Sequence, residues 1–469
     1  MLPDDVLLVM FYIYVEELSV TTDGRAWRTL VHVCPRWRSI VFGSPRRLNL
    51  QLVCVCSSKK TFARGTLDIW PALPLVVRCI DSVSKGSADN IVAVLEHRNR
   101  VCGIELDASS LHFQNVLAAM QKPFPELTYL RLWSFGGTVP VLPDSFLDGS
   151  VSLLGGLYFI GIPFPGLPKL LLSTSHLVNL CLSNIPHSGY FSPEAVVTAL
   201  SSLNRLDELW LEFQSPRSRP DRRPPPPTRV VLPALTEFRF KGDSEYLEDL
   251  VARIDAPRLD KLKITVFNQI VFDMPQFIQF INHTPPLKAP EEANLLFEDG
   301  ASRVSFSSQT SGLEYFEVKI PCKDLDWQVS SLEQVFTSCL PHLSTLEGLS
   351  VDAPRGWLPD WQDNIENTLW LELFLPFTGV KNLYLCEGFA RCIVPALQEL
   401  VEGRRIEVLP ALENIFLEEG LEPSEPVEKG IGQFVAMRQV TSHPNSDPIA
   451  VTSGQRFSLR RSFSLKQRK

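Results

Sequence analysis

The chain has 469 residues, with 45 basic and 53 acidic side chains giving a formal net charge of −8, and 45% of its residues are apolar. That balance is globular and excludes wholesale disorder or a collagen-like fibre. Net acidity argues against nucleic acid as a partner, because a chain-wide footprint on phosphates needs a basic surface.

Ten cysteines are scattered along the chain, and no two have Cys-x-x-Cys spacing. Neither a disulfide scaffold nor a metal centre is expected, and no cofactor is implied. The longest unbroken apolar run, Val6 to Val15, is ten residues, half of what a bilayer span requires. Asp4 and Asp5 precede it where a secretory leader would carry positive charge. The expectation is a cytoplasmic or nuclear protein with no membrane contact.

The first fifty residues read as three short helices. Leu2, Pro3, Asp4 and Asp5 place proline at a helix start and acids in the first turn, where the helix dipole favours them. Trp27, Leu30, Val31 and Cys34 recur at helical spacing, and Pro35 ends that segment and opens another, to about Phe42. Such a module is too small to hold a core alone and must pack on the rest of the chain or on a partner. The run Leu2-Pro3-Asp4-Asp5-Val6-Leu7 and the run Val33-Cys34-Pro35-Arg36-Trp37-Arg38 match the opening and closing motifs of an F-box. Residues 1–48 therefore resemble an F-box of the fungal kind, with Asp5 in place of glutamate and Asn49 where tryptophan is common. The resemblance implies docking on a Skp-type adaptor, and through it a cullin, by Leu2, Pro3, Val6, Leu7, Met10, Val33, Cys34 and Trp37.

Beyond this module the hexad Leu-x-x-Leu-x-Leu, with conservative swaps, recurs eleven times. Its copies begin at Val101, Leu127, Leu154, Leu177, Leu206, Leu235, Leu259, Leu313, Leu346, Val380 and Leu412. Most starts are 23–34 residues apart; one gap of 54 leaves room for a degenerate copy between Leu287 and Phe306. Helical stretches fall between the hexads, over 89–98, 113–121, 193–203, 244–254, 274–283, 332–340 and 393–402. Strand, turn and helix at this period is the leucine-rich-repeat plan. The fold class expected is α/β: a three-helix F-box followed over 49–422 by a leucine-rich-repeat solenoid, with parallel strands on the concave face and helices outside. Phe135, Ile162 and Ile185 stand where such repeats place asparagine or cysteine, so the usual asparagine ladder is missing.

Two segments depart from this pattern. Residues 214–229 hold six prolines and five arginines, which favours an exposed polyproline-like loop. Residues 423–469 form a mostly disordered tail, and six basic side chains with no acid lie beyond Ser453.

No glycine-rich phosphate loop, nucleophile elbow or paired-histidine metal motif occurs, so a non-catalytic protein is expected. In each hexad the third, fifth and seventh residues point away from the leucines, towards solvent. Lateral stacking sets Glu237 beside Lys261 and Trp210 beside Arg239. It leaves Trp210, Arg239, Lys241, Lys261 and Lys263 as a cationic, aromatic patch for an acidic segment of a target protein. By resemblance the chain is a substrate-recognition subunit of a Skp–cullin–F-box ubiquitin ligase. The alternative is a repeat scaffold whose vestigial F-box merely caps it; an exposed apolar patch on the first helix is the feature that separates the two.

Overall fold

The computed structural model describes residues 2–19, 26–45, 47–55, 67, 73–79, 83–109, 112–136, 140–216, 228–267, 272–287, 290–308, 314–338, 340, 343–354, 366–399, 408–417, 427, 429–434 and 450–453. It divides into two compact units, Met1–Ser215 with Val230–Leu235, and Pro216–Arg229 with Thr236–Lys469. The three N-terminal helices belong to the first unit. Most of the proline-rich loop and the basic tail beyond Ser453 lie outside the described residues.

The first unit opens with α1 (Asp4–Ser19), α2 (Ala26–Val31) and α3 (Pro35–Gly43). Pro35 stands in the first turn of α3, and the Cys34 sulfur accepts the Trp37 N–H, capping the helix. Leu7, Leu8, Phe11 and Val15 of α1 are buried, as are Trp27, Leu30 and Val31 of α2 and Val41 of α3. Phe11 packs on Trp37 with ring centroids 4.7 Å apart. The buried Trp27 indole donates to the Gln51 carbonyl at 3.0 Å, which ties the helices to the first strand.

A parallel ladder follows. Its strands are β1 (Leu52–Val55), β2 (Leu75–Cys79), β3 (Val101–Asp107), β4 (Tyr129–Trp133), β5 (Gly156–Ile160), β6 (Asn179–Ile185) and β7 (Glu208–Phe213), each paired with the next. A two-residue strand, β8 (Val230–Val231), completes the unit. The connections carry α4 (Lys85–Leu95), α5 (Phe113–Ala119), α6 (Leu167–Leu171) and α7 (Pro193–Leu200). Ser84 and Ser192 cap α4 and α7 through their hydroxyls.

The second unit contains β9 (Glu237–Gly242), the short β10 (Ile254–Asp255), β11 (Lys261–Val266), β12 (Glu292–Glu298), β13 (Ala301–Ser307), β14 (Glu314–Pro321), β15 (Gly348–Asp352), β16 (Asn382–Leu385), β17 (Asn414–Leu417) and β18 (Ala450–Ser453). Its helices are α8 (Ser244–Val251), α9 (Pro275–His283), α10 (Leu325–Ser338), α11 (Asn367–Phe374) and α12 (Glu387–Glu399). The buried Glu248 of α8 accepts the N–H groups of Gln276 and Phe277 at 3.0 and 2.8 Å, placing a carboxylate on the positive end of α9.

Each of the eleven hexads contributes a strand, which starts two residues after the first hexad position wherever that residue is described, except in β3, which starts on it. Among the described residues the apolar hexad positions are buried, save the half-buried Leu417, and alternate residues face outward. The 54-residue gap departs from the expected all-parallel plan. In place of one degenerate repeat it holds two strands, and β13 runs antiparallel to both β12 and β14. β14 pairs in parallel with β11, and β12 with β15. The chain therefore skips two places after β11, lays β12, and fills back through β13 and β14. Asp299 and Gly300 form the hairpin turn, with Gly300 at φ +83°, where a residue without a Cβ is favoured. The buried Gln328 of α10 donates to the carbonyls of Glu298 and Cys322, pinning this meander to its helix.

Successive repeats share one main-chain device in place of an asparagine ladder. The carbonyl before a strand accepts two consecutive N–H groups from the start of the next repeat. Thr128 receives Gly155 and Gly156, Gly155 receives Val178 and Asn179, and Val178 receives Asp207 and Glu208. In the second unit Thr236 serves Asp260 and Lys261, Glu291 serves Glu347 and Gly348, Glu347 serves Lys381 and Asn382, and Lys381 serves Glu413 and Asn414.

Gly161, which follows β5, has φ +68°, and a Cβ there would land on the Ser134 carbonyl oxygen. Gly161→Ala combines strain with a backbone clash and is expected to destabilise the protein by about 2 kcal/mol. A urea-unfolding midpoint unchanged from that of the parent would contradict this.

Candidate functional site

Two surfaces have the chemistry of recognition, one on the N-terminal helices and one on the strands of the second unit.

α1 is apolar nearly all round, yet only one face is covered. Val9, Met10 and Ile13 remain 54%, 51% and 49% exposed, and Val33, beyond α2, remains 55% exposed. Leu2 and Val6 extend this strip to the start of the helix. Scattered apolar side chains need no explanation, but a continuous strip rimmed by charge marks a contact surface. Covering the exposed half of such a side chain stabilises by roughly 1 kcal/mol. The strip is held in place by Arg36 of α3, whose guanidinium donates to the Leu2 carbonyl and to the Asp4 carboxylate, both at 2.6 Å.

Of the residues assigned to adaptor docking, Leu2, Pro3, Val6, Met10 and Val33 are exposed. Leu7 is not: it turns inward and is buried, because α2 and α3 cover that face of the helix. Cys34 and Trp37 are half-buried, one capping α3 and the other packed on Phe11. Val9 and Ile13 belong to the strip although the motif did not single them out. Their spacing from Val6 and Met10 along one helical face is the signal that could have found them.

The strand surface of the second unit is built on pairs that the register fixes: Lys261 opposite Glu237, Lys263 opposite Arg239 and Glu317, and Arg303 opposite Lys319. Glu237 accepts from Arg239 at 2.5 Å and lies 3.9 Å from Lys261. Glu317 is 3.5 Å from Lys263 and 3.7 Å from Arg303, and Glu298 is 3.7 Å from Arg303 and 2.7 Å from Lys319. Depth separates the two signs. The Lys261 side chain is 49% exposed against 11% for Glu237, and Lys263 is 37% exposed against 14% for Glu317. Glu237 and Glu317 form a floor and Lys261 and Lys263 a rim, so around these pairs the surface offered to solvent is positive even though the charges beneath are matched.

Of the residues assigned to target binding, Arg239, Lys241, Lys261 and Lys263 come together on β9 and β11. Trp210 belongs to the first unit. There it shares the outward-facing side of the ladder with Tyr129, Tyr158 and Arg131, whose guanidinium lies 5.6 Å from the Trp133 ring centre.

Nothing in the described chemistry resembles a reaction centre. Burial pushes the Cys54 thiol up to about 12 and those of Cys102 and Cys392 up to about 11, so they stay protonated at neutral pH. Ser215 Oγ and His187 Nε2 are 2.7 Å apart on the exposed surface, whereas a serine nucleophile works in a desolvated site with an orienting group. Among the described residues no three His, Cys, Asp or Glu side chains cluster to hold a metal ion, and no helix is long and apolar enough to cross a membrane.

No family model matches the chain. No curated protein matches it either. Among solved structures it is similar to the leucine-rich repeat-containing protein LegL7 from Legionella pneumophila, at 12% identity over 82% of this chain and 97% of that one, with a TM-score of 0.27. A TM-score that low carries no argument, and the repeat plan rests on the strand pairing described above.

The division of α1 into a buried and an exposed face is directly testable. Met10→Glu and Ile13→Glu should leave the melting temperature within about 2 °C of the parent. Phe11→Ala should lower stability by about 3 kcal/mol through the lost packing on Trp37. Equal effects from all three would refute the assignment of faces.

Proposed function

We propose that the chain is the substrate-recognition subunit of a Skp–cullin–F-box ubiquitin ligase, as the F-box-like motifs of residues 1–48 imply. The observation that carries this reading is the exposed apolar strip of α1, Leu2, Val6, Val9, Met10 and Ile13, together with the exposed Val33 between α2 and α3. A helix that only capped the repeats would hide these side chains. In this role α1 and the start of α3 dock on the Skp-type adaptor, and the cationic strands hold a target protein. The subunit itself makes and breaks no bonds; it raises the target's effective concentration beside the conjugating machinery that the cullin brings.

A second reading has one observation in its favour. Trp27 is buried and bonded to Gln51, so the helices also close the β1 edge of the first unit's ladder, as a cap would. The two readings part on a single experiment, capture of a purified Skp-type adaptor by the full-length chain. Binding is expected, with a loss of at least about tenfold in Met10→Glu and Ile13→Glu proteins that melt like the parent. Absence of binding by the folded parent would leave the repeat scaffold with a capping helix module as the function.

A further inference from the structure

The middle row of the second unit's outward face runs, strand by strand, through Arg239, Lys263, Glu317, Ser305, Asn294, Ser350, Tyr384 and Phe416. Its chemistry changes along the way. At one end the rim cations stand over their carboxylate floor, and Lys241 adds a further cation that makes no ion pair among the described residues. In the middle are small polar side chains from the meander. At the far end Tyr384 and Phe416 stack with ring centres 4.6 Å apart and planes 12° from parallel, and Tyr384 is exposed. Beside the pair, the Asn414 amide donates to the Asn382 side-chain oxygen at 2.8 Å.

Two polar atoms on this face are shielded from water and have no partner, the Asn294 Oδ1 acceptor and the Arg303 Nε donor. Both atoms lie on β12 and β13, the strands that fill the gap in the hexad pattern. An extended peptide can span the row and present acidic side chains to its cationic end and a ring to its aromatic end at a fixed spacing.

We infer that the face binds an extended protein segment with a cluster of acidic residues at one end and an aromatic residue about seven positions away. The spacing follows from geometry. Lys263 and Tyr384 are five strand separations apart, about 24 Å, and an extended chain rises about 3.3 Å per residue. The carboxylates of the segment meet the guanidinium and ammonium donors left over from the floor pairs. Its aromatic ring extends the Tyr384–Phe416 stack. This inference rests on the reading of the strand face as the target-holding surface and is independent of adaptor docking by α1.

The test uses the full-length chain and fluorescein-labelled eleven-residue peptides. Each holds three glutamates, a glycine–serine spacer and a phenylalanine seven positions from the middle glutamate, in both chain directions. One of these should bind about tenfold more tightly than its Gln-for-Glu or Gly-for-Phe counterpart at low salt, and more weakly as salt rises. Lys241→Glu reverses a charge without breaking a floor pair, and with Arg303→Gln it should weaken binding at least about threefold. Tyr384→Ala should abolish the preference for phenylalanine over glycine. Melting curves identify any variant that fails to fold, and Lys241→Glu remains the decisive one because it leaves every described ion pair intact. Three results would overturn the inference: no discrimination between the peptides, indifference to Lys241→Glu, or tighter binding of a twelve-residue oligothymidylate with no effect of Tyr384→Ala. The last would make the face a general polyanion surface. Adaptor capture measured on the same variants should be unchanged. Its loss in the parent chain, with peptide discrimination intact, would defeat the ligase reading and leave this one standing.

Discussion

Seven of the repeats begin under the constraint of one carbonyl oxygen with two N–H groups on it. The oxygen has two lone pairs, so it can anchor two successive residues of the next repeat, and their direction is then settled before any side chain is placed. A slip of one residue would turn every hexad leucine outward, and the fork makes that slip cost two hydrogen bonds. Because the acceptor is main chain, the residue bearing it is unconstrained: Thr128, Gly155, Val178, Thr236, Glu291, Glu347 and Lys381 all serve. That freedom explains how the sequence dispenses with the asparagine ladder of regular repeats. It also leaves the outward-facing residues free to be chosen for what they bind.

The fork also shows how the meander is tolerated. Glu291 stands before β12, and its carbonyl receives Glu347 and Gly348, which begin β15. Register therefore passes from β12 to β15 directly, and the antiparallel β13 is carried alongside without interrupting it. The extra strands widen the outward face and supply Arg303, Ser305 and Asn294, the residues that make its middle polar. On the helical side, Gln328 ties the β12–β13 turn to the end of β14 with one side chain.

The hexads were legible because they report burial directly. Leu130, Leu209 and Leu383 are each fully enclosed, and their spacing marks both the strand and its inward face. β1 and β2 carry no hexad, because Leu52–Val55 and Leu75–Cys79 are short runs buried on both faces, with no alternation between inward and outward residues. β12 was hidden for the same reason, since Leu295, Leu296 and Phe297 are buried in succession, although Asp299-Gly300 is a hairpin signal. α11, over Asn367–Phe374, has Leu and Trp side chains on most of its faces and shows no clear helical stripe. The same ambiguity hid the orientation of Leu7, which only the packing of α2 and α3 decides. For the strand face the sequence set Glu237 beside Lys261 and left a surplus of cations at Arg239, Lys241 and Lys263. It could not show depth, and depth gives the surface its sign: Glu237 and Glu317 sink where Lys261 and Lys263 do not.

The meander has one more consequence, in the order of events as the chain folds. Parallel neighbours here are joined through connections of some twenty or more residues, so each pairing must first close a long loop. β12 and β13 meet across a two-residue turn, and only six residues separate β13 from β14. Antiparallel hairpins of this kind close in about 1–10 μs, well ahead of long-range parallel pairing. The place where the repeat pattern fails is thus the place where the second unit's sheet can first take shape. The regular repeats on either side then have an existing edge to join, which spares the unit the slow step of assembling a first pair from distant strands.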